Sequence, residues 1–177
     1  ISLGEGAKRD TLNTISNNGT NIIAVKPGEK KSRHVRTGNV ETLTLEDAYA
    51  IEENIKGITG VAAQVYQGAQ LKFSNNNSSS TVRGTGKDYA RLANYEIDQG
   101  RFFTQQEVDT ARRVAILGAT VVKNLYEPHN PIGKTLKVDG DNYLIIGTMI
   151  GKGALSWFDP DDQVFIPVTT AQKRQFG

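Results

Sequence analysis

The spacing of apolar residues changes along the first 28 residues and predicts two elements there. Residues 1–18 predict an amphipathic helix ended by Gly19, because apolar side chains recur at roughly helical spacing: Leu3, Ala7, Leu12 and Ile15. The mostly apolar stretch 20–26, bounded by Pro27-Gly28, predicts a short buried strand. The chain thus opens with a helix followed by a strand.

A polar, basic stretch at 29–39 has few apolar positions and predicts a loop. It contains five basic or imidazole side chains: Lys30, Lys31, Arg33, His34 and Arg36. Runs of one charge sign are usually solvated surface, and that is our interpretation here. Contact with an anionic partner surface through Arg33 is the alternative.

The middle of the chain predicts a capped helix followed by a hairpin. Thr44 and Asp47 have the spacing of a capping box, and apolar residues continue on one helical face as far as Ile55. Residues 58–73 alternate apolar and polar side chains and predict extended chain. The polar run 75–80 predicts the turn, so Asn76 and Ser79 are candidate partner contacts on an exposed tip.

The second half of the chain predicts more strands than helices. An apolar strand at 113–118 ends in Gly118 and leads into a helix around 121–126, while the acidic residues 105–109 predict a turn. Two strands joined at 139–142 form a predicted hairpin, and 164–168 is a last strand before a short helix. The pattern favours an α+β fold of two β-rich lobes, each with one or two helices.

Composition narrows the classes of function. The formal net charge of +2 is too small to favour nucleic acid as a main partner, and the absence of Cys removes thiolate nucleophiles and Cys-based metal sites. No apolar run approaches the ~20 residues that span a bilayer, and no signal peptide opens the chain.

Sequence motifs for catalysis are weak. Gly133-Lys134-Thr135 resembles the end of a phosphate-binding loop, but Pro128 stands where that loop needs Gly, and a strand follows instead of a helix. The acidic residues 159–162 are conceivable calcium ligands, yet a solvated turn is the favoured interpretation. His34 and His129 lack the spacing of metal ligands. We therefore expect no catalytic residue, no metal and no cofactor.

Trp157 and Phe158 place two large apolar side chains in a Gly-rich loop beside the acidic residues. Filling of the core is the simpler interpretation of this pair. Exposed contact with a partner is the alternative, and both residues are therefore candidate contact residues.

An ordered set of short motifs resembles the periplasmic core domain of MacB-type ABC transporter permeases. In chain order the motifs are Gly100–Phe103, Arg113–Gly118, Asn124–Tyr126, Pro131–Lys134, Tyr143–Gly147 and Ile166–Pro167. The motif residues, as we call them below, are Gly100, Arg101, Phe103, Gly118, Leu125, Pro131, Gly133, Gly147 and Pro167. Their expected roles are structural, with glycines at turns or close backbone contacts and apolar residues in the core.

The resemblance implies an architecture and a location. A porter-like βαβ lobe takes residues 1–93 and 159–177 and looks truncated at its C-terminus, while 94–158 forms a smaller inserted lobe of strands plus one helix. The domain is expected in the bacterial periplasm, attached to an inner-membrane protein.

The resemblance also implies a function without catalysis in this domain. The domain transmits motion driven by an ATPase elsewhere in the transporter and contacts substrate or an adaptor during efflux. Expected partners are its own transmembrane and ATPase parts, a periplasmic adaptor and an outer-membrane channel, with no nucleic acid and no substrate named.

Three alternatives remain open. One is a permease domain of the lipoprotein-release or cell-division type, which binds a lipoprotein carrier or a cell-wall hydrolase. Another is a free-standing periplasmic module that captures a small ligand between its lobes. The last is an enzyme that uses a metal held by Asp159, Asp161 and Asp162.

Overall fold

The computed structural model describes residues 22–26, 43–153 and 159–176. Strands outnumber long helices in this part of the chain, so the α+β prediction is confirmed. In chain order the elements are α1 (Leu45–Asn54), β1 (Gln64–Phe73), β2 (Asn76–Thr85), α2 (Tyr89–Leu92), β3 (Ile97–Gly100), α3 (Gln105–Asp109), β4 (Val114–Leu117), α4 (Ala119–Leu125), β5 (Thr135–Val138), β6 (Asp141–Met149), β7 (Gln163–Pro167) and α5 (Val168–Thr170), which continues as a π-helix over Ala171–Gln175.

The strands form one mixed sheet that closes on itself. The seven strands follow the order β3-β6-β4-β7-β2-β1-β5, and β5 pairs with β6 as well as with β1. The β5–β1 and β5–β6 pairings are both antiparallel, whereas β2 and β7 run parallel. All strands except β3 therefore form a closed ring, in which β1 and β5 meet only at Leu71 and Lys72 of β1.

Alternation along the strands divides the apolar residues between two cores. On β4, Ala115 and Leu117 face the interior of the ring, while Val114 and Ile116 pack outside it. The interior is filled by large buried side chains such as Tyr126 and Tyr143. The outer core, which includes Phe165, lies under α2, α3 and α5. This alternation follows from the two-residue period of a strand.

Local sequence explains the start of α1. The Thr44 hydroxyl accepts a hydrogen bond from the Asp47 N–H at 3.3 Å, and the Asp47 carboxylate accepts one from the Thr44 N–H at 2.8 Å. The predicted capping box is thus present, and it satisfies N–H groups that have no partner within the helix.

The turn of the first hairpin is shorter than predicted. Phe73 pairs directly with Asn76, so Ser74 and Asn75 form a two-residue loop, with Ser74 in the left-handed region at φ 53°. Placing Asn76 and Ser79 on an exposed loop tip was wrong, because residues 76–80 are already part of β2. Polar side chains on the solvated face of a strand look like a loop in sequence.

The second predicted hairpin is confirmed. Val138 pairs with Asp141 across the two-residue turn Asp139-Gly140. Both turn residues have positive φ, 47° and 98°, as the tightest hairpin turns require.

Other predicted elements differ from the structure. Residues 22–26 are exposed and not in a strand, and Ile23 is 88% exposed, so the prediction of a buried strand was wrong for them. Residues 105–109 form a helix rather than the predicted turn, because Thr104 and Glu107 form a capping box. In sequence alone, Glu107 and Asp109 indicate an acidic turn instead. The predicted helix at 1–18 and the basic loop at 29–39 lie outside the described residues.

The predicted division into lobes remains a prediction. Residues 94–158 contribute β3 to β6, and these strands share one sheet with β1, β2 and β7 from the rest of the chain. In the part of the chain that the structure describes, no helix is both long and apolar enough to cross a membrane.

Candidate functional site

Gly100 and Gly147 allow two backbones to touch where β3 ends beside β6. Gly100 has a φ of +77°, and a Cβ atom added to it by substitution would lie 2.2 Å from the carbonyl oxygen of Ile146. A Cβ atom added to Gly147 would lie 2.4 Å from the carbonyl oxygen of Arg101. The Arg101 N–H donates to the Ile146 carbonyl at 3.0 Å, and this hydrogen bond depends on the close approach. Both positions therefore require glycine.

Arg101 fixes the start of α3 through a two-bond ion pair. Its Nη1 and Nη2 atoms donate to Glu107 Oε2 and Oε1 at 2.7 and 2.8 Å. Glu107 Oε2 also accepts from the Thr104 N–H at 2.9 Å and closes the capping box. The hydrogen bonds from Arg101, assisted by the Thr104 N–H, lower the pKa of Glu107 to about 2. The pair ties the β3–α3 connection to the helix N-terminus.

The other motif residues support the chain in similar ways. Phe103 and Leu125 are buried, Gly133 has a φ of +78°, and Pro167 ends β7 at the start of α5. Pro131 is buried, and its carbonyl accepts from the Lys134 N–H at 3.0 Å. That these residues have structural roles stays a prediction.

Gly118 brings α4 against the segment before β7. The Gly118 N–H donates to the Gln163 carbonyl at 2.8 Å. A Cβ atom added to Gly118 would lie 2.2 Å from the Asp161 carbonyl oxygen. Two residues on, the Thr120 N–H donates to the same Asp161 carbonyl at 3.3 Å. Hydrogen bonds thereby join the unit of β4, Gly118 and α4 to the acidic segment before β7.

The acidic segment itself is held by hydrogen bonds within the protein. The carboxylate of Asp161 accepts the N–H groups of Lys152 and Gly153, each at 2.8 Å. Asp159 accepts from the Asp161 N–H and the Thr120 hydroxyl, again at 2.8 Å. Asp162 accepts from the Ser80 hydroxyl at 2.5 Å. The three carboxylates thus have different partners, and among the described residues no set of three His, Asp or Glu side chains is arranged to hold a metal.

Tyr95 and Lys152 connect the acidic segment to the end of α2. The Lys152 ammonium lies 3.8 Å from the centre of the Tyr95 ring and donates to the Ala93 carbonyl at 2.5 Å. The Tyr95 hydroxyl donates to the Pro160 carbonyl at 3.2 Å. Burial raises the pKa of Tyr95 to about 12 and lowers the pKa of Lys152. These groups therefore bind one another and the neighbouring backbone.

The predicted partner-contact residues occupy different places. The Asn76 amide donates to the Leu125 carbonyl at 2.9 Å, at the edge of an open groove of about 350 Å³ lined also by Phe73, Ser74, Asn75, His129 and Lys134. Ser79 is exposed on the outer face of β2. Arg33, Trp157 and Phe158 lie outside the described residues. Within the described part of the chain, Asn76 and Ser79 therefore lie at different sites, one at the groove and one on the outer face of β2.

Sequence reasoning missed Arg83, which is held in place without a carboxylate. Its guanidinium carbon lies 5.1 Å from the centre of the Tyr66 ring and 5.6 Å from that of Tyr89. Nε donates to Gln163 Oε1 at 2.8 Å, and Nη1 donates to Gln64 Oε1 at 2.6 Å. The sequence offered one signal for this contact: Tyr66 and Arg83 both occupy outward positions on the two predicted strands of the hairpin.

The fold and these contacts define a class of protein, namely a small α+β domain whose described motif residues contact other parts of the same chain. The model of the MacB-like periplasmic core domain matches residues 1–177. The chain belongs to this family and is a periplasmic domain of a MacB-like ABC permease.

Curated relatives agree over the whole chain. A "Macrolide export ATP-binding/permease protein MacB" of Chlorobium luteolum is 35% identical over 179 residues, and a relative of that name from Wolinella succinogenes is 32% identical over 178. Both alignments cover 100% of this chain but only 27% of the relative. The chain thus spans about a quarter of these proteins.

Solved structures share the fold. The periplasmic region of MacB from Actinobacillus actinomycetemcomitans has a TM-score of 0.71 at 22% identity, covering 95% of this chain and 74% of that one. The extracellular domain of the noncanonic ABC-type transporter YknZ from Gram-positive bacteria has a TM-score of 0.66 at 17% identity, covering 76% and 67%. At such identities the likeness concerns the fold alone.

Proposed function

We propose that the chain transmits motion, driven by ATP hydrolysis elsewhere in the permease, to a partner or substrate in the periplasm. One observation carries this proposal: Arg101 of the motifs and the carboxylates of the acidic segment 159–162 bind other parts of the chain. Arg101 binds Glu107, and Asp161 binds the backbone at Lys152 and Gly153. Such a network suits a body that moves as a unit.

The closed sheet supports the same function. Six strands form a ring around one core, and further buried side chains pack outside it. Closely packed interiors have low compressibility and transmit displacement. The domain is thus suited to transfer force between its attachment to the membrane and its outer surface.

The cargo and the partners belong to this proposal. The names of the relatives refer to macrolide export and ATP binding, so macrolides are the first cargo to test, and the ATPase lies outside this chain. An adaptor and an outer-membrane channel are further proposed partners.

The test separates ATP hydrolysis from export. The full-length permease, reconstituted in liposomes, is given a saturating antibody fragment raised against residues 1–177. We expect macrolide export to stop while basal ATP hydrolysis continues, because the fragment blocks only the periplasmic body. An irrelevant fragment is the control. Unchanged export with the domain fully covered contradicts the proposal.

A further inference from the structure

The outward side of the β1–β2 hairpin, together with β5, forms a continuous surface. We call it the outer hairpin face and define it by Tyr66, Lys72, Ser79, Arg83 and Lys137. Tyr66 pairs with Arg83 on β2, and six residues further along β1, Lys72 pairs with Lys137 on β5. At about 3.4 Å per residue the face is about 20 Å long.

The Tyr66 end of this face presents a fixed cation under an exposed ring. The Tyr66 side chain is 68% exposed and covers the Arg83 guanidinium. Two glutamine carbonyls, not carboxylates, orient that guanidinium. Tyrosine and arginine dominate the binding energy of many protein interfaces. Tyrosine is large and loses little freedom on binding, and the planar guanidinium of arginine forms paired, directional hydrogen bonds.

The other end carries two like charges side by side. Lys72 and Lys137 are exposed and directly opposite each other on neighbouring antiparallel strands. Like charges in this arrangement destabilise a sheet. Lysines often protect edge strands, but β1 and β5 are each paired on both sides. The lysine pair therefore weakens the fold without protecting an edge.

Carboxylates do not neutralise these cations within the described residues. β1, β2 and β5 contain no Asp or Glu, and the ion pairs of the described residues involve neither lysine. Two acidic residues adjoin the face. Asp139 accepts from the Gln70 N–H and from Gln175, and Asp162 accepts from Ser80. The strands of the face thus carry three cations and no acid, and the hydrogen bonds of Asp139 and Asp162 go to Gln70, Gln175 and Ser80 rather than to those cations.

We infer that the outer hairpin face docks a carboxylate-bearing surface of a partner protein. Carboxylates match the planar guanidinium of Arg83 and offset the repulsion between the two lysines. The exposed ring of Tyr66 adds apolar contact beside the charges. The inference deepens the proposed function by naming where the moving domain meets its periplasmic partner.

The first experiment measures binding of a defined acidic probe. Fluorescein-labelled decaglutamate is titrated, at low salt, against the full-length permease in neutral nanodiscs. We expect Lys137→Glu and Lys72→Glu each to raise Kd at least about tenfold, because each places an acid on the face. Lys56→Glu, an exposed lysine after α1, is the matched control and is expected to change Kd less than about twofold.

A second readout separates docking from simple loss of structure. Either single reversal turns the repulsive pair into an attractive one, so Tm should rise by about 1–3 °C while binding falls. The double reversal Lys72→Glu with Lys137→Glu restores repulsion and should remove that gain. Stability and binding then move in opposite directions, which a purely structural role does not produce.

The inference fails if the Lys56→Glu control weakens binding as much as the face variants. It also fails if vesicles with 30% phosphatidylglycerol bind the face more tightly than decaglutamate does, or if the reversals only abolish self-association of the permease. Loss of acidic binding in the face variants, with the antibody test of export still positive, supports both proposals. Normal acidic binding by those variants with the same antibody result overturns the docking face alone.

Discussion

Replacing Glu107 by Gln tests the ion pair that anchors α3. The substitution keeps the size of the side chain but removes the charge that accepts two hydrogen bonds from Arg101. The cap bond from the Thr104 N–H can persist on the amide oxygen. The variant therefore isolates the charged part of the interaction.

The magnitude follows from the pKa of Glu107. Its fall from 4.5 to about 2 corresponds to about 3 kcal/mol at most. The Arg101 side chain is 52% exposed, so solvent screens the pair, and we expect a loss of about 1–2 kcal/mol. For a chain of this size that lowers Tm by about 3–6 °C.

The direction in which the stability difference changes with pH follows from the lowered pKa of Glu107. Because the folded-state pKa of Glu107 lies below the unfolded value, the unfolded chain binds more protons between pH 2 and 4.5. The advantage of Glu over Gln is therefore complete above about pH 4.5 and fades as the pH falls towards 2.

Thermal melts followed by circular dichroism at pH 7 and pH 3 measure this difference. Glu127→Gln, at an exposed carboxylate, is the matched control and should change stability by less than about 0.5 kcal/mol. An equal deficit of Glu107→Gln at both pH values refutes the electrostatic account, and so does the absence of any deficit.

Three further predictions concern the close backbone contacts and the acidic segment. Gly147→Ala should cost about 2 kcal/mol or more in chemical denaturation, because its Cβ meets the Arg101 carbonyl, whereas Gly68→Ala, with open space around it, should stay within about 0.5 kcal/mol; similar losses contradict this explanation. Asp161→Asn should cost about 2 kcal/mol and speed hydrogen exchange at the Lys152 and Gly153 amides, because an NH₂ group replaces one acceptor; unchanged exchange there contradicts it. Calcium at 5 mM, or EDTA, should shift Tm by less than about 1 °C, because Asp159, Asp161 and Asp162 already accept protein hydrogen bonds. A clear rise of Tm with calcium contradicts this prediction and supports a metal site at these three residues.

Local patterns predicted the elements that are set by neighbouring residues. The capping box of Thr44 and Asp47 and the turn Asp139-Gly140 both appear as expected, because each depends on a few adjacent side chains. The same reasoning applied to Thr104 and Glu107 predicts α3, yet the acidic composition around them was interpreted as a turn.

Closure of the sheet could not be predicted from local patterns. The ring depends on Leu71 and Lys72 pairing with Val138 and Lys137, residues more than sixty positions away in sequence. The role of Gly147 is similar, because only the crossing backbone of Arg101 reveals why a side chain is excluded there. Long-range contacts of this kind leave little trace in a single sequence.

The candidate contact residues show the same limit. Ser79 was singled out as a loop residue, and it lies instead on a strand beside Gln70, on the face that carries Tyr66 and Arg83. The pairing of Lys72 with Lys137 follows from the register alone. The sequence pointed to the hairpin that carries the outer hairpin face, but not to the side of it on which the charges lie.

We infer that the full-length permease acts as a pair of such chains, and a distance measurement between the two copies of the domain tests the transmission of motion most directly. The 177 residues of this chain contain no Cys, so once any cysteines elsewhere in the full-length permease are replaced, single cysteines can carry spin labels, and Ser79 and Gln106 are both exposed. In the full-length permease, labels on Ser79 of two copies should change separation by on the order of 5 Å between nucleotide-free and ATP-trapped states. A pair at Ser79 and Gln106 within one domain should keep its distance. If the separation between copies stays constant while ATP hydrolysis and export continue, the domain does not transmit motion.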